Sequence, residues 1–452
     1  MIKRLTLLTV AAYGFSPAWL MAQDNAQEAA KGFVEDAEWQ VLNRMFYERR
    51  DFENGARNAR ARNSKYPDRR QRSEVAEEWG YGLMGTFTSG FTQGRIGFGL
   101  DAQLYQAQAL DTGGGRAGAI RALPLDRDGY PLDNLTRGGA ALKLQAASTR
   151  LRYGEQRVST PIFSASDSRL LPETHTGWYL ESDDISVLKL QAGYFTGSAD
   201  RHSRSNNNPL VVNYASNANG QLGNAFRFLG GRYSGMPGLS LSLFTGELED
   251  TWRTHYLGST YRLPLGDTRS LTSDLHLYRS RNTGQALAGA VDTTTGSLLL
   301  TYRSGYHSLG LGYQHVAGDT PFDYVTRGAI WLTNAMQMSD FNAPNERSWQ
   351  LNYAYDLSGL GLPGLSTTAA YVRGSGTDGS HADPNGSYAG FYGQGGRHWE
   401  RDLSLKYVVQ DGPAKNLSLQ LRHSLHRANS AQGENDAQQL KLVLQYPLSG
   451  RL

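Results

Sequence analysis

Apolar and polar residues alternate with a period of two along most of this chain, and this alternation constrains the fold more than any other feature. Leu417, Leu419 and Leu421 alternate with polar neighbours, and residues 440–448 repeat the pattern. Successive side chains of an extended chain point to opposite faces, so each such stretch has one apolar and one polar face. After the N-terminus no apolar run approaches the roughly 18 residues of a membrane helix.

The connections between these stretches alternate between short turns and long polar segments. Eight short turns and nine long segments join eighteen strands. An even strand number, with short turns at one end and long loops at the other, is typical of a bacterial outer-membrane barrel, in which every backbone group is paired. The predicted fold is all-β, an 18-stranded antiparallel transmembrane β-barrel with inward-folded external loops. A β-sandwich stack or a β-helix would have to bury the charged faces of these strands.

The N-terminus resembles a cleaved export signal. Lys3 and Arg4 precede an apolar run, and Ala22 offers a small residue for cleavage. The alternative, an N-terminal membrane anchor, is disfavoured because Gly14 and Pro17 interrupt a run that is already short for a membrane span. The predicted boundaries are a signal peptide over 1–22, a short periplasmic segment over 23–37 and a transmembrane barrel over 38–452.

Charge and cysteine content limit the classes of partner. The net charge is +3, and removal of two basic residues with the signal leaves 43 basic against 42 acidic residues. This balance gives no reason to expect a nucleic-acid partner. Because the chain has no cysteine, disulfide scaffolds and thiolate metal sites are excluded. We predict no cofactor and no metal site.

A barrel of this size encloses a water-filled channel, so transport through the lumen is the expected function. The third long segment contains Pro161, Ile162, Phe163, Leu170 and Leu171, which is too apolar a set for a loop exposed to solvent. We therefore predict that this segment folds into the lumen and narrows it.

Four cations face the lumen by the alternation argument. They are Arg150, Arg152, Arg422 and Lys441. A guanidinium offers a forked donor that matches a carboxylate, and several spaced cations give an anion weak sites between which it can step. The alternative for each cation taken singly is general solubility of the wall or a cross-wall salt bridge.

Several longer motifs occur in order along the chain, namely GFVED at Gly32, SGFTQGRIGFGLDA at Ser89, RLLPET at Arg169, GGRY at Gly230, GELED at Gly246, GDTPFDY at Gly318, MSDFNAPNERSWQLNY at Met338, KYVVQDGPAKNLS at Lys406 and YPLS at Tyr446. With these motifs the chain resembles the OprD-type outer-membrane channels, a family of substrate-specific porins for small carboxylate-bearing molecules. The resemblance implies a constriction formed by the third and seventh external loops, and a ladder of basic residues. Carried over by position, this ladder comprises Arg49, Arg169, Arg422 and Lys441.

The resemblance also implies constriction residues in the seventh loop, namely Asp319, Asp323 and Tyr324. Acidic groups there would bind the ammonium of a zwitterion, although turn capping by aspartate is the alternative. Two positions depart from the family pattern. Lys441 stands where an arginine is usual, and Gln420 stands where a second basic residue would pair with Arg422. Lysine lacks the guanidinium fork, so the lower ladder is expected to be weaker.

The predicted function is an outer-membrane channel for uptake of small carboxylates such as amino acids, short peptides or aromatic and cyclic carboxylates. Its expected partners are these solutes and outer-membrane lipid. The protein is predicted to be a monomer or a loose trimer, and it is not expected to be an enzyme. A nonselective diffusion porin and an outer-membrane Ser/His hydrolase are the alternatives. The hydrolase is disfavoured because the sequence contains no G-x-S-x-G motif. The sequence does not select one branch of the family.

Overall fold

The computed structural model describes residues 25–58, 74–111, 116–126, 130–215 and 222–452. The predicted signal peptide, 1–22, lies outside these ranges, and so does much of the basic segment after the first strand. In the described part, no helix has the length and apolar character needed to cross a bilayer.

Eighteen antiparallel strands form one closed sheet, as predicted. Each strand pairs with its neighbours in sequence, and β1 pairs with both β2 and β18 to close the barrel. The strands are β1 (Glu38–Phe52), β2 (Val75–Thr88), β3 (Gly97–Asp111), β4 (Asn134–Ala146), β5 (Thr149–Gln156), β6 (Thr174–Ile185), β7 (Leu188–Ala199), β8 (Phe226–Met236), β9 (Leu239–Leu248), β10 (Trp252–Gly266), β11 (Arg269–Asn282), β12 (Asp292–Ser304), β13 (His307–Ala317), β14 (Arg347–Asp356), β15 (Leu365–Asp378), β16 (Gln394–Val408), β17 (Ser418–Ala428) and β18 (Ala437–Arg451). Short 3-10 turns occur at Leu357–Leu360 and Ser430–Gln432.

The two faces of the sheet follow the alternation in the sequence. Large apolar side chains project outward and remain exposed, among them Leu142 and Leu243 at 66% and Phe98 at 58%. Their neighbours Lys143 and Ser242 point inward and are buried. This is the reverse of a soluble sheet and suits a wall that has lipid outside and water inside.

Short turns lie at one end of the barrel and long loops at the other. The turn between β8 and β9 contains Gly238, which has a φ of 74°. A Cβ at this position would lie 2.5 Å from the carbonyl oxygen of Arg262, so glycine allows the turn to approach β10 closely. The segment before β1 packs at this same end, where the backbone N–H of Gln27 donates to the carbonyl of Ala147 at 3.0 Å.

The described parts of several long loops fold into the barrel and build two apolar cores there. The larger core joins loop 3 (157–173), loop 4 (200–225) and loop 7 (318–346) to the inner faces of β6 to β11. Phe163 of loop 3 is fully buried at its centre, and its ring stacks on those of Phe195 and Phe226 at centroid distances of 4.7 and 5.1 Å. The inward folding predicted for loop 3 is therefore confirmed.

The smaller core joins loop 2 (112–133) and loop 3 to the inner faces of β1 to β4. Leu170 and Leu171 of loop 3 are fully buried against Phe46 and Tyr105 of the wall. Loop 3 is thus anchored by apolar side chains at both of its ends, and the residues between the anchors are held inside the lumen.

Candidate functional site

Arg422 of β17 and Lys441 of β18 are direct neighbours on the inner wall of the barrel. Both cations donate to one acceptor, the side-chain oxygen Oε1 of Gln337 in loop 7, over 3.1 and 3.0 Å. The outward neighbours Leu421 and Leu440 are exposed at 41% and 40%, as the alternation predicted. A single neutral oxygen therefore bridges two positive side chains inside the lumen.

Acidic residues of the same wall balance part of this charge. Glu48 of β1 is fully buried, and its carboxylate lies 3.4 Å from the Lys441 ammonium and 3.0 Å from the Arg50 guanidinium. Lys441 also interacts electrostatically with Arg422 and with Arg169 of loop 3. The structure thus brings together three of the predicted ladder residues, Arg169, Arg422 and Lys441.

A cavity of about 310 Å³ continues from Arg422 toward the end of the barrel that carries the short turns. Gln337 and Arg422 line its upper part, and Lys406 of β16 lies below them as the register partner of Gln420. The Gln420 amide donates to the Ser404 hydroxyl at 3.1 Å. Gln420, which stands where a second basic residue was expected, is therefore polar but uncharged, and Lys406 supplies a cation beside it.

The tip of loop 3 forms a second group of charges. Arg44 of β1 and Arg157 both contact the carboxylate of Asp167, at 2.7 and 3.2 Å. Arg169 donates to the carbonyl of Ile120 at 3.1 Å, and Arg201 of loop 4 donates to the Ser168 hydroxyl at 3.2 Å.

Loops 3, 4 and 7 are locked together by buried charges. Arg327 of loop 7 pairs with Asp200 of loop 4 at 3.0 Å, and its backbone N–H donates to Glu173 of loop 3 at 2.9 Å. Burial, reinforced by the nearby Asp200 charge, raises the pKa of Glu173 to about 7. Burial alone would raise the pKa of Asp200 as well, but the Arg327 guanidinium outweighs burial and holds that pKa below its usual range.

Two of the predicted constriction residues have structural partners. Asp323 is buried, and its oxygens accept backbone N–H groups of Asn213, Tyr214 and Ala215 in loop 4. This corrects the expectation that Asp323 faces a solute, because its carboxylate joins loop 4 to loop 7. Tyr324 is 8% exposed and its hydroxyl donates to Asp340 at 2.8 Å.

Asp319 has a different environment from the other two constriction residues. Its side chain is exposed at the start of loop 7. Of the three predicted constriction residues, it alone keeps an accessible carboxylate.

Arg150 and Arg152 lie on the inner wall near the end with short turns, a third of the way around the barrel from Arg422. Arg152 pairs with Glu181 at 2.5 Å, and its guanidinium lies 5.0 Å from the centroid of the Tyr179 ring. Arg150 donates to the Gln145 amide oxygen at 3.2 Å. Both side chains face inward, as predicted. Arg152 forms a salt bridge within the wall, which was the alternative to recognition of a solute.

Arg49 is the one predicted ladder residue that the structure places on the outer face. It pairs with Asp51 at 2.8 Å, and its register partner across β2 is the outward-facing Glu77. The arginines at inward positions of β1 are Arg44 and Arg50. The prediction for Arg49 is corrected because the side-chain alternation of β1 turns odd-numbered residues away from the lumen.

Comparisons with known proteins agree with this architecture. A family model described as outer membrane porin, OprD family, matches residues 31–450. Porin D of Pseudomonas aeruginosa is 39% identical over 446 residues, which cover 96% of this chain and 95% of that protein. The porin-like protein GalP of Pseudomonas putida is 30% identical over 441 residues, covering 97% of this chain and 98% of that protein.

Solved structures give the same result. A crystal structure of Pseudomonas aeruginosa OprD superposes with a TM-score of 0.79 at 37% identity, covering 95% of this chain and 98% of that one. The crystal structure of Pseudomonas aeruginosa OpdK with vanillate superposes with a TM-score of 0.80 at 33% identity, covering 93% of this chain and all of that one. With a closed eighteen-stranded barrel, inward-folded loops and a family match over nearly its whole length, the chain belongs to the OprD family of outer-membrane porins.

Proposed function

We propose that this porin takes up small solutes that carry a carboxylate, with amino acids, short peptides and aromatic or cyclic carboxylates as the candidate classes. The observation that carries the proposal is the bridge formed by the Gln337 side-chain oxygen between Arg422 and Lys441. This neutral oxygen marks the place where two cations converge on one acceptor. A carboxylate oxygen in the same place would form charge-assisted hydrogen bonds, which are roughly twice as strong as neutral ones.

The path that we propose begins at the tip of loop 3 and ends in the cavity below Arg422. Arg169 is the first cation, Arg422 and Lys441 are the second step, and Lys406 is the third. Conduction requires sites strong enough to admit the solute and weak enough to release it. Partial neutralisation of Lys441 by Glu48 supports this requirement, since it weakens the hold on an anion.

Three further charged residues are candidates for contact with the solute. Arg150 and Arg152 are candidates for a last basic step near the exit, although Glu181 already neutralises part of their charge. Asp319 is the candidate partner for the ammonium of a zwitterion, because its carboxylate is exposed at the edge of loop 7. Asp323 and Tyr324 instead hold the loops together, because their polar groups bind loop 4 and Asp340.

Family membership separates the two alternative functions. Porins are channels, so membership of this family sets the hydrolase aside. A nonselective diffusion porin keeps the same fold and differs only in whether the basic residues recognise the solute. The neighbour solved with vanillate, an aromatic carboxylate, supports a role in recognition by analogy.

A proteoliposome uptake screen tests the proposal. Each carboxylate is paired with the amide of the same carbon skeleton, and the panel spans amino acids, dipeptides and aromatic acids. We expect saturable uptake of at least one carboxylate class and faster entry of the acid than of its amide at low concentration. Uptake that is linear in concentration and equal for acid and amide across the panel would establish a nonselective pore instead.

A further inference from the structure

Three side chains from two neighbouring strands and the loop that follows them converge at the external end of the barrel. His398 of β16, His426 of β17 and Glu434 of loop 9 (429–436) form a nearly equilateral triangle of ligand atoms. His398 Nδ1, His426 Nε2 and Glu434 Oε2 lie 3.0 Å from one another along each edge. This cluster is separate from the basic residues described above.

The hydrogen bonds at the far sides of the two rings fix their tautomers. His398 Nε2 faces the Glu346 carboxylate at 2.5 Å, and His426 Nδ1 faces the backbone carbonyl of Asn435 at 3.0 Å. Both partners can only accept, so each of these ring nitrogens carries a proton and donates it. The nitrogens that face the centre, His398 Nδ1 and His426 Nε2, are therefore the ones that present lone pairs when the rings are neutral.

Two lone pairs and a carboxylate oxygen thus point at one another in a buried place. His398 and His426 are only 3% and 2% exposed. Three acceptors in contact repel one another unless a cation lies between them, and burial removes the water that would screen the repulsion. The cluster therefore requires either a shared proton or a metal ion.

We propose that His398, His426 and Glu434 bind a divalent transition-metal ion, with Zn²⁺ as the best match. Two imidazoles and one carboxylate form a donor set common in zinc sites. Zinc bonds of about 2.0–2.1 Å in tetrahedral geometry place neighbouring ligand atoms about 3.3 Å apart, so shifts of a few tenths of an ångström would suffice.

Neighbouring groups hold the three side chains of the triangle in place. Metal-bound histidines usually donate their other N–H to a carboxylate or a backbone carbonyl, and both arrangements occur here. Glu346 is itself held by the backbone N–H of Ala343 at 3.0 Å, and the Phe341 ring stacks on His398 at 4.1 Å. The Ser339 hydroxyl donates to Glu434 Oε1 at 3.0 Å, which leaves Oε2 directed at the histidines.

Metal binding at this place would connect three parts of the external end. Glu434 belongs to loop 9, the two histidines belong to the wall, and Ser339 and Glu346 belong to loop 7. The ion would therefore fasten loop 9 to the wall and stabilise the last part of loop 7, close to the Gln337 segment.

Zinc content of the untagged, folded protein tests the proposal. The protein is stripped with EDTA, incubated with ZnCl₂ at neutral pH, separated from free metal and measured by plasma mass spectrometry. We expect about one Zn²⁺ per chain in the wild type, as a single three-ligand site requires. The variants H426Q and E434Q should fall to background. The matched control H423Q changes a histidine on the outer face of the same strand and should bind as the wild type does.

Folding of each variant is checked by the heat-dependent mobility of the barrel on gels. If H426Q fails to fold, E434Q carries the test, since this residue lies in a loop. Folded wild-type protein that binds no zinc would overturn the proposal and leave a shared proton as the account of the cluster. Stoichiometric zinc that survives in both H426Q and E434Q would place the metal elsewhere and would also overturn it.

Discussion

Replacing Phe163 by alanine should release loop 3 from the inner wall and widen the channel. The Phe163 ring is fully buried and stacks on Phe195, Phe226 and Phe228 at centroid distances of 4.7, 5.1 and 6.0 Å. Truncation of a buried phenylalanine costs about 3–5 kcal/mol. Since about 1.4 kcal/mol corresponds to a factor of ten in an equilibrium constant, the ratio of docked to undocked loop should fall by about two to four orders of magnitude.

Single-channel recording in planar bilayers measures the effect. We expect F163A to conduct more than the wild type, with added noise from loop motion, and to become more sensitive to external protease within loop 3. The control is L243A, which truncates a side chain that is 66% exposed on the outer face, beside the inward-facing Phe244. A folded F163A barrel with wild-type conductance and wild-type protease resistance would refute the claim that this anchor holds the constriction.

Three further predictions concern the polar contacts of the lumen. Q337E would place a permanent anion between Arg422 and Lys441. Carboxylate uptake in proteoliposomes should therefore fall several-fold, while uptake of the matched amide stays near the wild-type rate. An equal fall of both rates would indicate that the channel is blocked and would contradict the prediction. E78A removes the buried acceptor of backbone N–H groups from loop 2, including those of Ala122 and Leu123 at 2.7 Å each. Because hydrogen bonds to a charged group contribute about 1.5–3 kcal/mol each, loop 2 should become cleavable by added protease, and unchanged resistance would contradict this reasoning. The raised pKa of Glu173 means that loop 3 docking is strongest below the ordinary glutamate pKa of 4.5 and weakens as pH rises through about 7. Conductance should therefore increase between pH 5 and pH 8 in the wild type but not in E173Q, and identical pH profiles of the two proteins would disprove it.

The strand pattern of this barrel was predictable because each wall residue meets one of only two environments. Leu419 and Leu421 face outward and Arg422 faces inward, and these positions follow from counting residues along one strand. The inward folding of loop 3 was predictable for a similar reason. Its buried phenylalanine and leucines would be costly to expose to water.

The first strand was harder to interpret from sequence. Phe46 faces inward because it packs against the folded loops, while Tyr47 faces outward and donates to Glu77 at 2.8 Å. With apolar groups on both faces, the alternation does not reveal which arginine enters the lumen. The resemblance therefore points to Arg49, whereas the arginines of β1 that face the lumen are Arg44 and Arg50.

Contacts between loops could not be predicted from local patterns. Asp323 binds backbone groups about 110 residues earlier in the chain, and Gln337 reaches cations about 85 and 104 residues later. No spacing rule links such positions. The convergence of His398 with His426 and Glu434 depends on the pairing of β16 with β17 and on the path of loop 9, which local patterns do not reveal either.

The ratio of carboxylate to amide uptake in R422A, compared with R49A, tests the central claim most directly. Both variants remove one arginine from the barrel wall, but Arg422 faces the lumen and Arg49 faces away from it. The account predicts that the ratio falls several-fold in R422A and stays at the wild-type value in R49A. An unchanged ratio in R422A, or an equal fall in both variants, would contradict guidance of carboxylates by the inward basic residues.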